Sequence, residues 1–351
     1  MSEARIPFSG QAINTWHAIL REATNLNGVE ALLQVALRDY RANHALTTAV
    51  AAYRRSAPSR ATQPGKPDEQ PKAAPAAPPS RSVSAPEPKP GDKRILSAAS
   101  VDFTFVYVPA GPFIMGSEEY DEEKPIHTFQ TDAFWLLQTP VTNAHYRPFV
   151  DAGGYNKQEW WTPTGWQWRA KEKLTAPRYW QDKKWNEAKQ PVVGVSWYEA
   201  LAFANWLAQT TGTAIRLPRE AEWEKGARGE KGLKYPWGDQ SPTDELCNFN
   251  NKVGKTTPVD RYPKGASPYG ALDMAGNVWE WTATKWLENY ENYVTLVDNN
   301  PEADAGARRV VRGGAWDNFQ YNVRAADRPS YTPVLGTRNL GFRVVVSVAP
   351  Q

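Results

Sequence analysis

With 351 residues, 41% hydrophobic content and 16 tryptophans, the chain is long enough to bury one substantial core and a small second one. Its net charge of only +3, from 41 basic and 38 acidic side chains interspersed along the sequence, excludes the clustered basic footprint of a nucleic-acid binder. No window approaches about eighteen uninterrupted apolar residues and the N-terminus carries no charged-then-apolar signal pattern, so a cytoplasmic protein without membrane contact is expected.

The first predicted elements are helices. Ile13, Trp16, Ile19, Leu20 and Ala23 fall on one helical face, and Val29, Leu32, Leu33, Ala36, Leu37 and Tyr40 repeat the pattern. Leu46, Val50 and Tyr53 mark a third helix, and Ser9, Asn27 and Asn43 stand where N-caps belong. Residues 1–56 are therefore read as a small all-α domain, marginal alone and helped by docking onto a partner. From 58 to 94 the chain holds ten of its 29 prolines among Ala, Ser, Lys and Glu, a composition that cannot offset its own ordering entropy. Residues 57–95 read as a disordered linker.

After the linker the pattern changes to short strands and Gly/Pro turns. Phe103 to Val108 alternates as a strand and breaks at Pro109-Ala110-Gly111. Ser196 and Glu199 form a capping box that opens a helix with Ala200, Phe203, Ala204 and Leu207 facing inward. Pro218 suits the first turn of a second helix carrying Ala221 and Trp223. Beyond Gly229 helix signals fade and aromatics and glycine turns dominate, which predicts an α+β domain over 96–351 with little regular secondary structure.

Chemistry-bearing residues are sparse. Cys247 is the single cysteine, and His17, His44, His127 and His145 make no ligand pair at helical spacing, which argues against a zinc or non-haem iron centre. Glu220, Glu222 and Glu224 read as a charged face with a scaffold ion pair rather than an acid/base pair, and no Ser-His-Asp or phosphate-loop pattern stands out. The C-terminal stretch is the most informative. Arg312-Gly313-Gly314-Ala315-Trp316 and Leu340-Gly341-Phe342-Arg343 bracket a segment without apolar periodicity, the pattern of a contact surface mounted on a scaffold. Trp316 and Phe342 are expected in the core, with Phe319, Tyr321 and Tyr331 exposed. Arg324, Arg328, Arg338 and Arg343 are expected to hold loops through their planar forks, and Gly313, Gly314 and Gly341 to serve tight turns or close packing.

Several blocks occur in order: Val108 to Gly116, Pro140 to Asn143, Gln190 to Trp197, Arg216 to Glu224, Tyr235 to Gly238, Met274 to Trp281, and the C-terminal pair. On these, residues 103 to 348 closely resemble the formylglycine-generating enzyme, or sulfatase-modifying factor, family, which implies a C-type-lectin-like fold. The resemblance implies two chemistries to look for. The oxidases hold copper with a cysteine pair shortly after the Gly-Gly motif, where this chain reads Ala315 to Asn322 without cysteine. The hercynine-type sulfoxide synthases hold iron with histidines from an N-terminal bundle, for which residues 1–56 are too short.

The resemblance also extends to variable proteins of diversity-generating retroelements, whose randomised NNC codons never encode Trp, Met, Gln, Glu or Lys. Between Asp317 and Leu340 only Gln320 belongs to that set. It implies a ligand-binding surface of Asp317, Asn318, Phe319, Tyr321, Asn322, Ser330, Tyr331, Val334, Leu335, Gly336 and Thr337, mixing rigid aromatics with adaptable polar groups as antibody paratopes do. Residues 10–46 resemble the effector-associated domains of bacterial conflict systems, implying an effector partner.

No cofactor is expected to be required. A structural calcium at Asn277, Val278 and Glu280 stays open by resemblance, while a second position near Asn248 and Phe249 lacks the acidic residue expected before Thr256. The leading expectation is thus a non-catalytic recognition protein that binds a protein or other macromolecule through residues 317–337 and recruits an effector through its helices. The alternatives are a divergent family oxidoreductase and a structural assembly subunit.

Overall fold

The computed structural model describes residues 87–297, 299–300 and 305–348, all within the unit spanning Val83–Gln351. The expected helices of residues 1–56, His17, His44 and most of the expected linker lie outside the described residues.

The fold begins earlier than the composition suggests. Strand β1 (Lys93–Ala98) starts inside the expected linker and pairs antiparallel with β2 (Val101–Val108), from Lys93 opposite Val106 to Ala98 opposite Val101. Ala99 and Ser100 close this hairpin at φ of 48° and 64°, the two consecutive left-handed residues that a two-residue turn requires. β1 is mostly exposed and polar, so pairing with β2 rather than burial orders it.

Two further strands of the same sheet are β5 (Phe134–Leu137) and β6 (Ile215–Arg216), and the C-terminal β11 (Val345–Ser347) lies between them, giving the order β1-β2-β5-β11-β6. Both faces are covered. Phe103, Phe105, Leu137 and Val346 join one apolar cluster, while Val106, Val108, Leu136 and Val345 join another. β3 (Gly111–Met115) and β4 (His127–Thr131) form a separate hairpin.

Helices fill the first cluster. α1 (Asn143–Asp151) starts at a capping box in which Thr142 and His145 exchange side-chain and backbone bonds, and α2 (Pro163–Glu172) has Pro163 in its first turn. α3 (Trp197–Thr211) starts at the expected box: Ser196 Oγ accepts from Glu199 N at 3.2 Å, and Glu199 Oε2 accepts from Ser196 N at 2.8 Å. It ends on Gly212 at φ 62°. α4 (Glu220–Arg228) is buried along its whole length and has Arg219 as N-cap, so Pro218 lies before the helix and not in its first turn.

The second sheet carries the C-terminal segment. It runs β10-β7-β8-β9, with β7 (Trp279–Lys285), β8 (Arg309–Arg312), β9 (Ser330–Tyr331) and β10 (Leu340–Phe342), the last parallel to β7. Among the described residues beyond Gly229 the helical elements are the 3-10 turn Pro263–Gly265 and the four-residue α5 (Tyr293–Leu296), as the loss of helix signals predicts.

Candidate functional site

The segment leaves β8 through Gly313 and Gly314, at φ 100° and 74°, a region glycine enters without strain. A Cβ on Gly314 would stand 2.6 Å from Asn322 O and 2.7 Å from Val323, so this turn tolerates no side chain. Trp316 then inserts against Trp185, ring centroids 5.6 Å apart, with Val193 and Val278, and Phe342 is fully buried. Both expected core positions hold.

The expected surface residues separate into three groups. Phe319, Tyr321 and Val334 are open to solvent, at 56%, 48% and 45% exposure, and the first two rings lie 5.8 Å apart. A second group is structural. Asn318 accepts Ala315 N at 2.9 Å through its side chain and Asn250 N at 2.7 Å through its carbonyl. Gly336 has no room for a Cβ, which would meet Gly194 O at 2.7 Å, and Leu335 packs on the apolar cluster. Ser330 is buried, contrary to expectation, because Arg308 Nε donates to its hydroxyl at 2.9 Å within β9. Tyr331 is half-buried, edge-on to Trp281 at 6.3 Å, since its strand is an edge of the second sheet paired with β8; full exposure is also corrected.

The third group is polar and converges. Asn339 Nδ2 donates to Asp317 Oδ1 at 2.9 Å, and Thr337 Oγ1 donates to Asn339 Oδ1 at 2.7 Å, so one carboxamide ties the two ends of the segment together. Asn322 Nδ2 donates to Asp327 Oδ2 at 3.2 Å. Burial pushes the Asp327 carboxyl up to about 6, with the Asn322 bond and Arg324 pulling the other way. The Tyr331 phenol is raised by burial and by the nearby Asp317 and Asp327 carboxylates. Asn322 and the buried Asp327 are hydrogen-bonded, and the Asp317 and Asp327 carboxylates both act on the Tyr331 phenol, so the four side chains share one acidic neighbourhood, with Asp327 at its buried edge. Asn339 and Asp327 were missed in the sequence because neither residue type carries a local signal for what it touches across the loop.

The middle of the segment, Val323 to Arg328, is buried scaffold. Arg324 grips Glu123 with two bonds at 2.8 and 2.7 Å; Arg328 binds Glu220 and the carbonyls of Glu122 and Leu287. Arg312 bonds Glu224, and Arg343 bonds Glu280 together with Leu137 O and Leu272 O. Burial works to raise Glu220, but Arg328 and Arg312 more than reverse it and hold it below the usual carboxylate range. Glu222 binds Arg216, so all three glutamates on α4 serve ion pairs as the sequence suggests. Arg338 is the exception among the arginines; it lies exposed over Trp316 at 5.6 Å.

The donor sets for the implied metals can be tested directly. Among the described residues no group of three or more His, Cys, Asp or Glu is placed to hold a metal ion. Cys247 is buried, and desolvation pushes its thiol well above the ordinary value, away from the thiolate that copper needs. His145 has both ring nitrogens engaged, by Thr142 N and Asp102 O. A copper or iron centre therefore does not fit the described side chains. The expected calcium donors do not fit either. Asn277 Oδ1 already accepts from Thr257 N at 2.9 Å, Asn248 at 3.3 Å and the Thr257 hydroxyl at 3.4 Å. Both oxygens of Glu280 are taken by Arg343, with Trp223 Nε1 on one of them, so the two expected side-chain donors are already engaged.

Comparison with known proteins places these features. The profile of the sulfatase-modifying factor enzyme 1-like domain matches residues 97–348. A hercynine oxygenase of Mycolicibacterium smegmatis is 36% identical over 239 residues, covering 61% of this chain and 54% of that protein, so the chain spans about half the length of this relative. A formylglycine-generating enzyme of Mycobacterium tuberculosis is 30% identical over 305 residues, covering 68% of this chain and 96% of that protein. Among solved structures, PvdO of Pseudomonas aeruginosa superposes with TM-score 0.60 at 23% identity, over 75% of this chain and all of that one. Variable protein 1 of Treponema denticola does so with TM-score 0.56 at 22% identity, over 72% of this chain and 98% of that one.

The two structures bear out the expected C-type-lectin-like architecture and carry no more than the fold. The expectation of a non-catalytic recognition protein, and with it of a chain that is no enzyme, is overturned: the curated relatives that share its sequence are enzymes. No helix among the described residues is long and apolar enough to cross a membrane. By the match across residues 97–348, the chain belongs to the sulfatase-modifying factor enzyme 1-like family.

Proposed function

We propose that the chain is a divergent oxidoreductase of this family, acting with oxygen on a thiol-bearing substrate held at the face of Asp317, Asn322, Asp327 and Tyr331. The observation that carries the reading is the identity to hercynine oxygenases, 36% over 239 residues and 37% over 226 residues in two of them. Each role assigned here belongs to this chain's own side chains. Asp327, with its carboxyl near 6, gives and takes a proton at neutral pH, and Asn322 fixes its orientation. Tyr331 keeps its proton and donates a hydrogen bond. Asp317, locked by Asn339, presents negative charge, and Phe319 and Tyr321 give the substrate apolar cover. In the same proposal residues 1–56 are the adaptor that brings this domain to an effector protein in the cytoplasm.

The test uses the purified full chain, assayed as isolated and, in separate reactions, with Fe(II) and with Cu(I) added. Oxygen uptake is followed with hercynine plus a thiol, and with a cysteine-containing peptide, and products are weighed by mass spectrometry. Substrate-dependent uptake with an oxidised product is expected, reduced about 100-fold or more in Asp327→Asn. No uptake and no product in any combination would overturn the proposal.

A further inference from the structure

Six of the described glutamates are buried, and five of them are paired with arginine: Glu123 with Arg324, Glu220 with Arg328, Glu222 with Arg216, Glu224 with Arg312 and Arg228, and Glu280 with Arg343. Glu199, in the first turn of α3, faces phenols instead. Its Oε1 accepts the Tyr155 hydroxyl at 2.5 Å, and its Oε2 accepts Ser196 N at 2.8 Å. The first distance is that of a hydroxyl donating to an ionised carboxylate. Tyr155 spends its only proton there, so Tyr146 of α1 donates the 3.2 Å bond between the two phenol oxygens. All three side chains are at most 2% exposed.

Burial raises Glu199 to about 6, with the Tyr155 and Ser196 bonds pulling the other way, so at neutral pH it is mainly ionised. Burial and the Glu199 charge hold both phenols well above their ordinary value, and they keep their protons. Base and acid thus stand 2.5 Å apart without exchanging a proton at rest. They exchange once the phenol loses an electron, because an oxidised phenol is a far stronger acid and a second buried charge is costly to keep. A path for that electron adjoins. The Tyr155 ring lies 5.6 Å from Trp161, and Trp161 lies 6.4 Å from Trp166. Trp161 is buried, whereas Trp166, on α2, is half-buried and reaches solvent. Arg169 stands 5.0 Å over the Trp166 ring and disfavours positive charge there, while Glu199 favours it at Tyr155, so an electron vacancy at the surface is drawn inward.

We propose that Tyr155 is a redox-active tyrosine, with Glu199 as its proton acceptor and Trp161 and Trp166 as its electron path to the surface. A one-electron oxidant at the surface takes an electron from Trp166, and the vacancy passes to Trp161 and then to Tyr155. The Tyr155 O–H bond breaks and an O–H bond forms on Glu199 Oε1, leaving the reduced oxidant, a neutral phenoxyl radical and a neutral carboxylic acid. One electron from a reductant such as ascorbate, with the proton handed back by Glu199, restores the phenol. None of these residues belongs to the face of Asp317, Asn322, Asp327 and Tyr331, so the inference stands or fails apart from the proposed turnover there.

The full chain is flashed with ruthenium tris-bipyridine and persulfate, which together supply a one-electron oxidant. Radicals are followed by transient absorption and by electron paramagnetic resonance on protein carrying ring-deuterated tyrosine. A long-lived tyrosyl signal is expected, lost in Tyr155→Phe and in Trp166→Leu. Glu199→Gln keeps a capping box, with the amide oxygen on Ser196 N and the amide nitrogen on the Tyr155 oxygen, but takes no proton, so the signal should be lost there too. In wild type the yield should fall from pH 7 to pH 5 as Glu199, faced by Tyr155 and Tyr146, takes up a proton. Near-ultraviolet circular dichroism checks that each variant folds. If Glu199→Gln does not, slower radical formation by wild type in D2O than in H2O upholds the coupled proton transfer. The proposal fails if no tyrosyl radical forms, if folded Tyr155→Phe gives an undiminished signal, or if formation in wild type is indifferent to both pH and D2O.

Discussion

Replacing Asp327 by asparagine should stabilise the protein at neutral pH and weaken its activity. The carboxyl has an ordinary value of 3.8 and is pushed to about 6 by burial. Between those values the unfolded chain has released the proton while the folded one keeps it, so rising pH favours unfolding. The stability is whole below pH 3.8, falls as pH climbs to about 6, and stays reduced above. About two units at 1.36 kcal/mol each give a cost of roughly 2–3 kcal/mol at pH 7.5. Asparagine is nearly isosteric, can still accept the bond from Asn322, and carries no charge to desolvate. Urea unfolding of wild type and Asp327→Asn at pH 4 and pH 7.5 measures the effect, with background titration cancelling in the difference. The variant's advantage should be about 2 kcal/mol larger at pH 7.5 than at pH 4. An advantage independent of pH would refute the assignment of a desolvated carboxyl, and with it the near-neutral acid of the candidate site.

Other outcomes follow from the same physics. His145 caps α1 only while its ring is neutral, and burial depresses it from 6.5 to about 4. Its contribution is therefore full above pH 6.5 and lost as pH falls toward 4, up to about 3 kcal/mol. In His145→Gln, which keeps a capping box, the stability difference between pH 7.5 and pH 5 should shrink; an unchanged difference counts against this role. Arg343→Met leaves the buried Glu280 carboxylate without its counter-charge and three carbonyls short of a donor, and should cost about 3–5 kcal/mol in denaturant unfolding. Phe319→Ala and Tyr321→Ala should move stability by no more than about 0.5 kcal/mol while raising the KM for substrate, because both rings face solvent. Gly314→Ala should lower the unfolding midpoint clearly, since its Cβ meets a carbonyl at 2.6 Å; a neutral effect would mean that the turn can relax.

What was legible in the sequence was local. The box of Ser196 and Glu199 spans four residues and appears as expected, and the burial of Trp316 and Phe342 follows from blocks of glycine and aromatics that leave little choice. What was hidden depends on partners far along the chain. Arg324 could be read as a loop-holding guanidinium, but nothing near it points to Glu123, 201 residues earlier. Ser330 looks like a surface residue until Arg308 caps it in β9. β1 is composed like the linker before it, and only the pairing partner that follows makes it a strand. The site was hidden for the same reason: Asp327 reads as one more polar residue of a loop, and its raised carboxyl comes from burial that the tertiary fold creates.

The same division explains how this scaffold can change its chemistry without losing its fold. The segment is held at its centre, where Arg324 and Arg328 sink into Glu123 and Glu220, and at its roots, where Trp316 and Phe342 enter the core. Truncating any of these leaves a buried charge or a cavity, so substitution there is expensive. Between the anchors, Phe319, Tyr321 and Val334 contribute mainly surface, and their replacement leaves the anchors standing. A carboxylate such as Asp327 is then retained against a cost of a few kcal/mol, which the rest of the fold offsets. A destabilised acid on a rigidly supported face is an arrangement that stability alone does not favour, which agrees with the catalytic reading rather than with passive display.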